Sequence, residues 1–542
     1  MKKKLLPALI VTGLIILVVI IMGITALINK YTPTKKTEDL KEYFNISSDD
    51  EAALIVDNEL SDYKAKIIDK KIYVDYKFVH DSLNSRFYWD ANENVLLYTT
   101  ASDIISAAAD SNSYSVTKQT NDFGYPIVKA TSDSALIALD YVKQYSNITF
   151  KSYDDPARIV ITSKWDEIDS ATVSKSTQVR VKGGIKSPIL KEVKKDDKIT
   201  ILDSGDKWDK IATEDGVIGY IKGKALSESK KTKLTNPDYE EETFTHIKKD
   251  KDICLAWNQV TSQSANSKVP QVISSTKGIN VMSPTWFYLN DNNGNLADIA
   301  SKDYVSYCHS QGIEVWGLFS NFENTDVDAA YVLTHTSTRT TLINQIMSAA
   351  FNYELDGVNI DFENITEAAY GDSYIEFIRE LAIKCHNNGI SLSVDVTVPA
   401  SFNKFFNRSD MANFADYIVI MGYDEHYKGS DAGSVSSIPW VTEGVESTLK
   451  EVPADQIILG MPFYTRIWEL TPKEDDDAVT DTEDQSKYTV ASQVYSMDAA
   501  AAQLATNNAT AALDEESGQN YAEWSASNKL YKVWLEDSTS LE

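Results

Sequence analysis

Cysteine is scarce in this chain: Cys254, Cys308 and Cys385 are its three, and all lie in the C-terminal half. That excludes a disulfide framework of the kind small secreted domains need, and the three are expected to be small core residues. Histidine is nearly as sparse, at six residues. Glu425 and His426 stand together without a second histidine at ligand spacing, so no metal and no cofactor are expected. Positive charge is in deficit too, 52 Lys and Arg against 80 Asp and Glu, leaving a net charge of -28. Spread along the chain, this charge argues against nucleic acid and against a polyanionic substrate. It leaves a neutral partner, such as a glycan or a peptide.

What is present divides along the chain, and 542 residues exceed what one core supports, so two to four domains are expected. Leu5 to Ile28 carries no charged residue over 24 positions and as a helix would span about 36 Å, enough for a bilayer core. It follows Met1-Lys-Lys-Lys4 and ends without a convincing cleavage site, so residues 1–28 are expected to be a cytoplasmic stub and an uncleaved transmembrane anchor. Thr25-Ala26 leaves a cleaved signal as the alternative. Residues 29–50, polar and containing Pro33, suit a linker.

Between 51 and 168 two similar units follow one another. Tyr76 to Leu83 reads as an amphipathic helix leading to strands at Arg86–Trp89 and Val95–Tyr98; Ala135 to Val142 reads as a second helix leading to strands at Ile148–Phe150 and Ile159–Ile161. The pattern resembles the α+β module named after the N-terminal domain of copper amine oxidases. His80 stands alone, so no copper site is expected. From 170 to 228 short strands recur, Gln178–Val181, Pro188–Leu190, Lys198–Leu202, Trp208–Ile211 and Gly219–Ile221, as in a small barrel. The wording Lys195-Asp-Asp-Lys-Ile, Trp208 and Asp215-Gly-Val-Ile-Gly-Tyr220 resembles a bacterial SH3 domain. The family often binds peptidoglycan peptides; the same aromatics serve equally as core. A charged linker, 229–246, follows.

From 247 onward apolar strands alternate with helical patterns, the signature of a parallel α/β fold. Seven strands are expected at Ile253–Trp257, Ile279–Ser283, Glu314–Phe319, Gly357–Phe362, Ser391–Val396, Tyr417–Met421 and Ile457–Met461, which fits a (β/α)8 TIM barrel lacking one strand. Chemistry in such a barrel gathers at the C-terminal strand ends, where Glu363 and Asp424 fall.

In Asp356-Gly-Val-Asn-Ile-Asp-Phe-Glu363, strand alternation points Asn359, Asp361 and Glu363 to one face. Carboxylates crowded on a buried strand raise one another's pKa, and a raised carboxyl is what a general acid needs to protonate a leaving oxygen. The stretch from about 250 to 542 resembles a family 18 glycoside hydrolase, whose D-x-x-D-x-D-x-E signature is matched by Asp356, Asp361 and Glu363, with Asn359 in place of the second Asp. Met421-Gly-Tyr-Asp424, Met461-Pro-Phe-Tyr-Thr-Arg-Ile-Trp468 and Trp257-Asn-Gln259 resemble the branch of bacterial spore-cortex and cell-wall N-acetylglucosaminidases.

The resemblance implies a retaining mechanism in which the substrate's 2-acetamido oxygen is the nucleophile. It implies catalytic roles for Glu363 as acid, Asp361 as partner of the acetamido N–H and Tyr423 as donor to the acetamido oxygen, with Asp356 and Asn359 in the same motif. Asp424, Trp257, Asn258, Trp286, Trp316, Arg466 and Trp468 are the expected substrate-binding residues, the tryptophans by stacking on sugar faces or by packing. The implied partner is an N-acetylglucosamine-containing glycan, peptidoglycan above all, reached outside a Gram-positive cell with the membrane held through residues 5–28 and the wall through the SH3-like module.

An insertion is expected at about 464–535, helical over Met497–Leu513 and extended at Tyr531–Leu535. In the family a helix and the eighth barrel strand come next, so the chain is expected to be C-terminally incomplete. Two other functions stay open, a catalytically silent glycan-binding protein on the same scaffold and a chitinase or endo-N-acetylglucosaminidase.

Overall fold

The computed structural model describes residues 5–363, 365, 370–473 and 485–541. Met1 to Lys4 of the expected anchor, residues 474–484 of the insertion and Glu542 lie outside them. The chain divides into two compact units, and one comprises residues 1–89, 107–114 and 120–241. It begins with an apolar helix, Leu5–Tyr31, whose stretch from Leu9 is long and apolar enough to cross a membrane.

Two seven-stranded sheets follow in this first unit. In one, Glu51–Val56 runs parallel to Arg158–Thr162 and antiparallel to Glu59–Ile68. The expected helix at Tyr76–Leu83 forms over Tyr76–Ser82, capped by the Asp75 carboxylate on the Lys77 N–H. The expected helix at Ala135–Val142 forms only over Leu139–Gln144. Ala135–Ala138 is a strand, because its backbone pairs with Lys71–Asp75 on one side and Val128–Ala130 on the other; tertiary pairing outweighs the helical pattern.

The other sheet holds strands at Thr177–Arg180, Ile189–Val193, Lys198–Asp203, Trp208–Thr213 and Ile218–Lys222, each overlapping its expected position. It extends further than expected. Lys230–Lys233, read from sequence as linker, pairs with Glu167–Thr172. The sheets share a core in which Phe44, Ala53 and Ile55 pack with Val173, Val179 and Ile221, and Arg158 closes on Asp215 at 2.5 Å. The two modules read separately from sequence therefore form one unit, apart from residues 90–106 and 115–119.

The second unit comprises residues 90–106, 115–119 and 242–542. Seven parallel strands pair in chain order: β1 (Leu255–Asn258), β2 (Val281–Leu289), β3 (Glu314–Ser320), β4 (Gly357–Asp361), β5 (Ser391–Thr397), β6 (Tyr417–Met421) and β7 (Ile457–Gly460). Their cores are continuous apolar runs, as strands covered on both faces require. Helices Lys302–Ser310, Thr336–Tyr353 and Gly371–His386 follow β2, β3 and β4. Cys308 and Cys385 are buried there, whereas Cys254, expected in the core, is exposed.

Among the described residues no strand joins β7 to β1, yet the Trp257 ring reaches β7, where a Cβ on Gly460 would meet it at 2.7 Å. After β7, β8 (Tyr464–Pro472), β9 (Tyr488–Ser496), β10 (Ala512–Asp514), β11 (Gln519–Ala526) and β12 (Lys529–Leu535) form a separate antiparallel sheet in the order β9-β8-β12-β11-β10. The helix expected over Met497–Leu513 ends at Thr506, and its tail becomes β10.

Residues 90–106 belong to this second unit through specific contacts. The Asp90 carboxylate accepts from the Thr336 N–H at 2.7 Å, and the buried Thr99 hydroxyl donates to Glu376 at 2.8 Å. Glu376 is fully buried and also takes Arg379 at 2.9 Å, so its charge is paired rather than stranded.

The barrel interior opposite the mouth is filled by Trp316, and a Cβ on Gly357 would meet that ring at 2.6 Å. Gly357→Ala should therefore destabilise the second unit by about 1–3 kcal/mol through overpacking. Urea unfolding followed by tryptophan fluorescence checks this; an unchanged midpoint would contradict the packing described.

Candidate active site

β4 ends on the acidic cluster because its alternation is strict. Val358 and Ile360 face the helices and are fully buried, and Asn359, also fully buried, faces the barrel interior. Asn359 organises that interior. Its Oδ1 accepts from the Trp257 Nε1–H at 3.0 Å and the Ser283 hydroxyl at 2.9 Å, and its Nδ2 donates to Asp395 Oδ1 at 2.7 Å. An amide does this without a proton of its own to gain or lose.

Asp395, 2 % exposed on β5, was not anticipated. The signal was present in Ser391-Leu-Ser-Val-Asp-Val396, where the period-2 rule that marks Asp361 puts Ser393 and Asp395 inside. Burial pushes its carboxyl up to about 8, with the Glu363 charge adding and the Asn359 and Trp257 side chains opposing. Asp361 is pushed well above the carboxylate range by burial, then by Asp395, Glu363 and Glu323. Its Oδ1 is buried without a hydrogen-bond partner among the described residues.

Glu363 sits beyond the strand end and opens to solvent. Its pKa is nevertheless raised, first by desolvation from the surrounding protein and then by the charges of Asp424 and Glu323. Its backbone N–H donates to Asn321 Oδ1 at 3.1 Å. Beside it lies a cavity of about 180 Å³ bordered by Asp395, Thr397, Phe402, Phe405 and Met421.

Tyr423, just past β6, stands edge-on to Trp257 with ring centroids 6.2 Å apart. Burial, then the charges of Asp395, Asp361 and Glu363, raise its phenol, so it remains a hydrogen-bond donor. Asp424 adopts a left-handed backbone with φ 62°. It accepts from the Tyr464 hydroxyl at 2.7 Å and from Arg466 Nη2 at 3.2 Å. Both donors come from β8, so the inserted sheet reaches the mouth.

The structure thus brings together Glu363, Asp361, Asn359, Tyr423, Asp424, Trp257 and Arg466. Asn258 lies at the end of β1, where its Oδ1 takes the Tyr304 hydroxyl at 2.9 Å. Asp356, expected among the catalytic residues, is not brought to the site. It opens β4 at the other end of the barrel, roughly 20 Å away at strand rise, accepting from the Val315 N–H at 2.8 Å and pairing with His309 at 2.8 Å.

Three expected stacking tryptophans are also elsewhere. Trp316 is fully buried against Tyr417, Trp286 packs on Tyr304 and donates to Asn266, and Trp468 roots the inserted sheet by donating to the Gly433 carbonyl. Glu425 and His426 hold the loop after β6, accepting from the Ser437 N–H and meeting the Ser434 carbonyl at 2.8 Å. No cluster of metal-ligand type occurs among the described residues.

The sequence profile of glycosyl hydrolases family 18 matches residues 323–542. Over that stretch the chain is similar to family 18 glycosyl hydrolases. An uncharacterized glycosylase YvbX of Bacillus subtilis (strain 168) is 25 % identical over 194 residues, covering 33 % of this chain and 55 % of that protein. The cortical fragment-lytic enzyme of the same organism is 24 % identical over 260 residues, covering 46 % and 57 %. This chain therefore spans little more than half the length of either relative. A chitinase structure from Chromobacterium violaceum superposes over 53 % of this chain and 87 % of that one, with a TM-score of 0.45 and 20 % identity. The profile match opens at Glu323 and takes in β4 through the inserted sheet.

The raised carboxyls carry a pH signature. A group whose folded pKa exceeds its unfolded value of about 4 adds stability that is full below pH ~4 and is lost as pH rises through the folded value, here near 8 for Asp395. The thermal midpoint should fall between pH 4 and 8, and Asp395→Asn should make that decline shallower. Equal slopes in the two proteins would contradict the assignment.

Proposed function

We propose that the chain is a retaining glycosidase that cleaves N-acetylglucosamine-containing cell-wall glycan by substrate-assisted catalysis. The observation that carries this is Glu363, its carboxyl raised at an open mouth, next to Asp361, whose Oδ1 is buried without a partner among the described residues. In this reading Glu363 protonates the glycosidic oxygen as the C1–O bond breaks. The acetamido oxygen of the same sugar closes on C1 to give an oxazolinium ion, and the aglycone leaves. Asp361 accepts the acetamido N–H and stabilises its positive charge; Tyr423 donates to the acetamido oxygen. Glu363, now a carboxylate, takes a proton from water, which opens the ring from the face the aglycone left.

Asn359 shapes this chemistry. Lacking a titratable proton to share, it leaves Asp361 to adjust against Asp395, Glu363 and Glu323. Asp424, held by Tyr464 and Arg466, is placed to meet sugar hydroxyls. Peptidoglycan is favoured over chitin by the cortical fragment-lytic relative. The apolar N-terminal helix, read as an anchor, and the SH3-like and amine-oxidase-N-like readings of the first unit point the same way, to a wall-facing protein outside the cell. A silent glycan-binding protein is the second reading, and the presence of Glu363 weighs against it.

Incubating the detergent-solubilised full chain with purified peptidoglycan and with chitin oligomers should release reducing ends, most from peptidoglycan. Glu363→Gln should lower that rate by about 10²–10⁴-fold while glycan binding persists. Binding by the unaltered chain without release from either glycan would instead establish the silent reading.

A further inference from the structure

Beyond β3 the chain makes a turn, Ser320-Asn321-Phe322-Glu323, that nothing in the proposed mechanism uses. Its position follows from register. Ser320 is the Cα partner of Asp361 at the ends of β3 and β4, so the turn continues alongside Phe362 and Glu363. Two contacts fix it there. Asn321 Oδ1 receives the Glu363 backbone N–H at 3.1 Å, and the Ser320 hydroxyl, 1 % exposed, donates to Glu323 Oε1 at 2.6 Å.

We propose that Asn321 and Glu323 are positioning residues for Glu363, the amide fixing its backbone and the carboxylate supplying a fixed negative charge beside its side chain. This rests on the reading of Glu363 as the acid. Asn321 is 5 % exposed, and its Nδ2, on the same amide that holds Glu363, is buried without a partner among the described residues. A buried unpaired donor is costly, and a substrate oxygen entering beside Glu363 relieves that cost.

Glu323 acts through its charge. Its carboxylate is among the groups that raise Glu363 and Asp361. The other groups facing them are Asp424 with its Arg466 and Tyr464 partners, Asp395, Tyr423 and Tyr374. Asp424 lies past β6 and is partly offset by Arg466. Glu323 has no cationic partner among the ion pairs of the described residues, so its charge acts on Glu363 without that offset. A general acid is active while protonated, and a neighbouring anion therefore extends activity to higher pH.

Two measurements on the full chain test this. The first is the pH dependence of kcat/KM on a soluble N-acetylglucosamine oligomer. The second is the pH dependence of carbodiimide labelling at Glu363, read by mass spectrometry, which follows the protonated carboxyl and needs no turnover. Glu323→Gln should move the alkaline limb and the labelling midpoint down together, by about half a unit to one unit. Glu323→Asp should restore part of the shift. Ser320→Ala, which frees the carboxylate, should give a smaller shift in the same direction and serves if the first variant folds poorly.

An unmoved labelling midpoint in folded Glu323→Gln overturns the proposal, whatever happens to the rate. A shifted midpoint in a protein that hydrolyses nothing upholds the positioning role while refuting the glycosidase reading, so the two failures are distinct.

Discussion

Too many carboxylates meet where the parallel strands end. Asp361, Asp395, Glu363, Glu323 and Asp424 converge on one mouth, where burial favours the neutral form of Asp361, Asp395 and Glu363. The arrangement is tolerable because Asn359 stands at its centre as a neutral amide, taking the Trp257 and Ser283 protons and giving one to Asp395. A carboxylate in its place would add a further charge to a site that already holds raised acids.

The rest of the second unit serves that constraint. Continuous apolar strands bury the cluster's base, with Trp316 filling the opposite end. The inserted sheet reaches the mouth by the alternation of its first strand. On one face of β8, Tyr464 and Arg466 hold Asp424, and two residues further on Trp468 is buried in that sheet's own core. The sheet and the site are thus joined through Asp424 and through the edge-on contact of Tyr464 with Tyr423. In the proposed chemistry that crowding has a use, since a raised carboxyl is what a general acid needs.

Much of this was legible in the residues. Polar positions at every second place of an otherwise apolar strand located Asp361 and Glu363, and the seven barrel strands followed from apolar runs bounded by turns. Asp395 obeyed the same rule in Ser391–Val396 but carried no recognisable motif. Tryptophans resisted assignment because depth along a strand decides their role: Trp316 sits where β3 enters the barrel, Trp257 where β1 leaves it, and composition cannot tell these apart. Asn321 and Glu323 lie on a turn, where no period exists to read. Ala135–Ala138 went to a sheet because two neighbouring strands offered hydrogen bonds that local pattern does not reveal.

The central claim is that Glu363 serves alone as acid and base while the substrate supplies its own nucleophile. It is tested most directly by the anomeric configuration of the first product, followed by proton NMR on a β-linked N-acetylglucosamine oligomer before mutarotation sets in. Initial appearance of the β-anomer is predicted. Initial appearance of the α-anomer would mean direct displacement by water, which needs a second protein carboxylate as base, and would contradict the account.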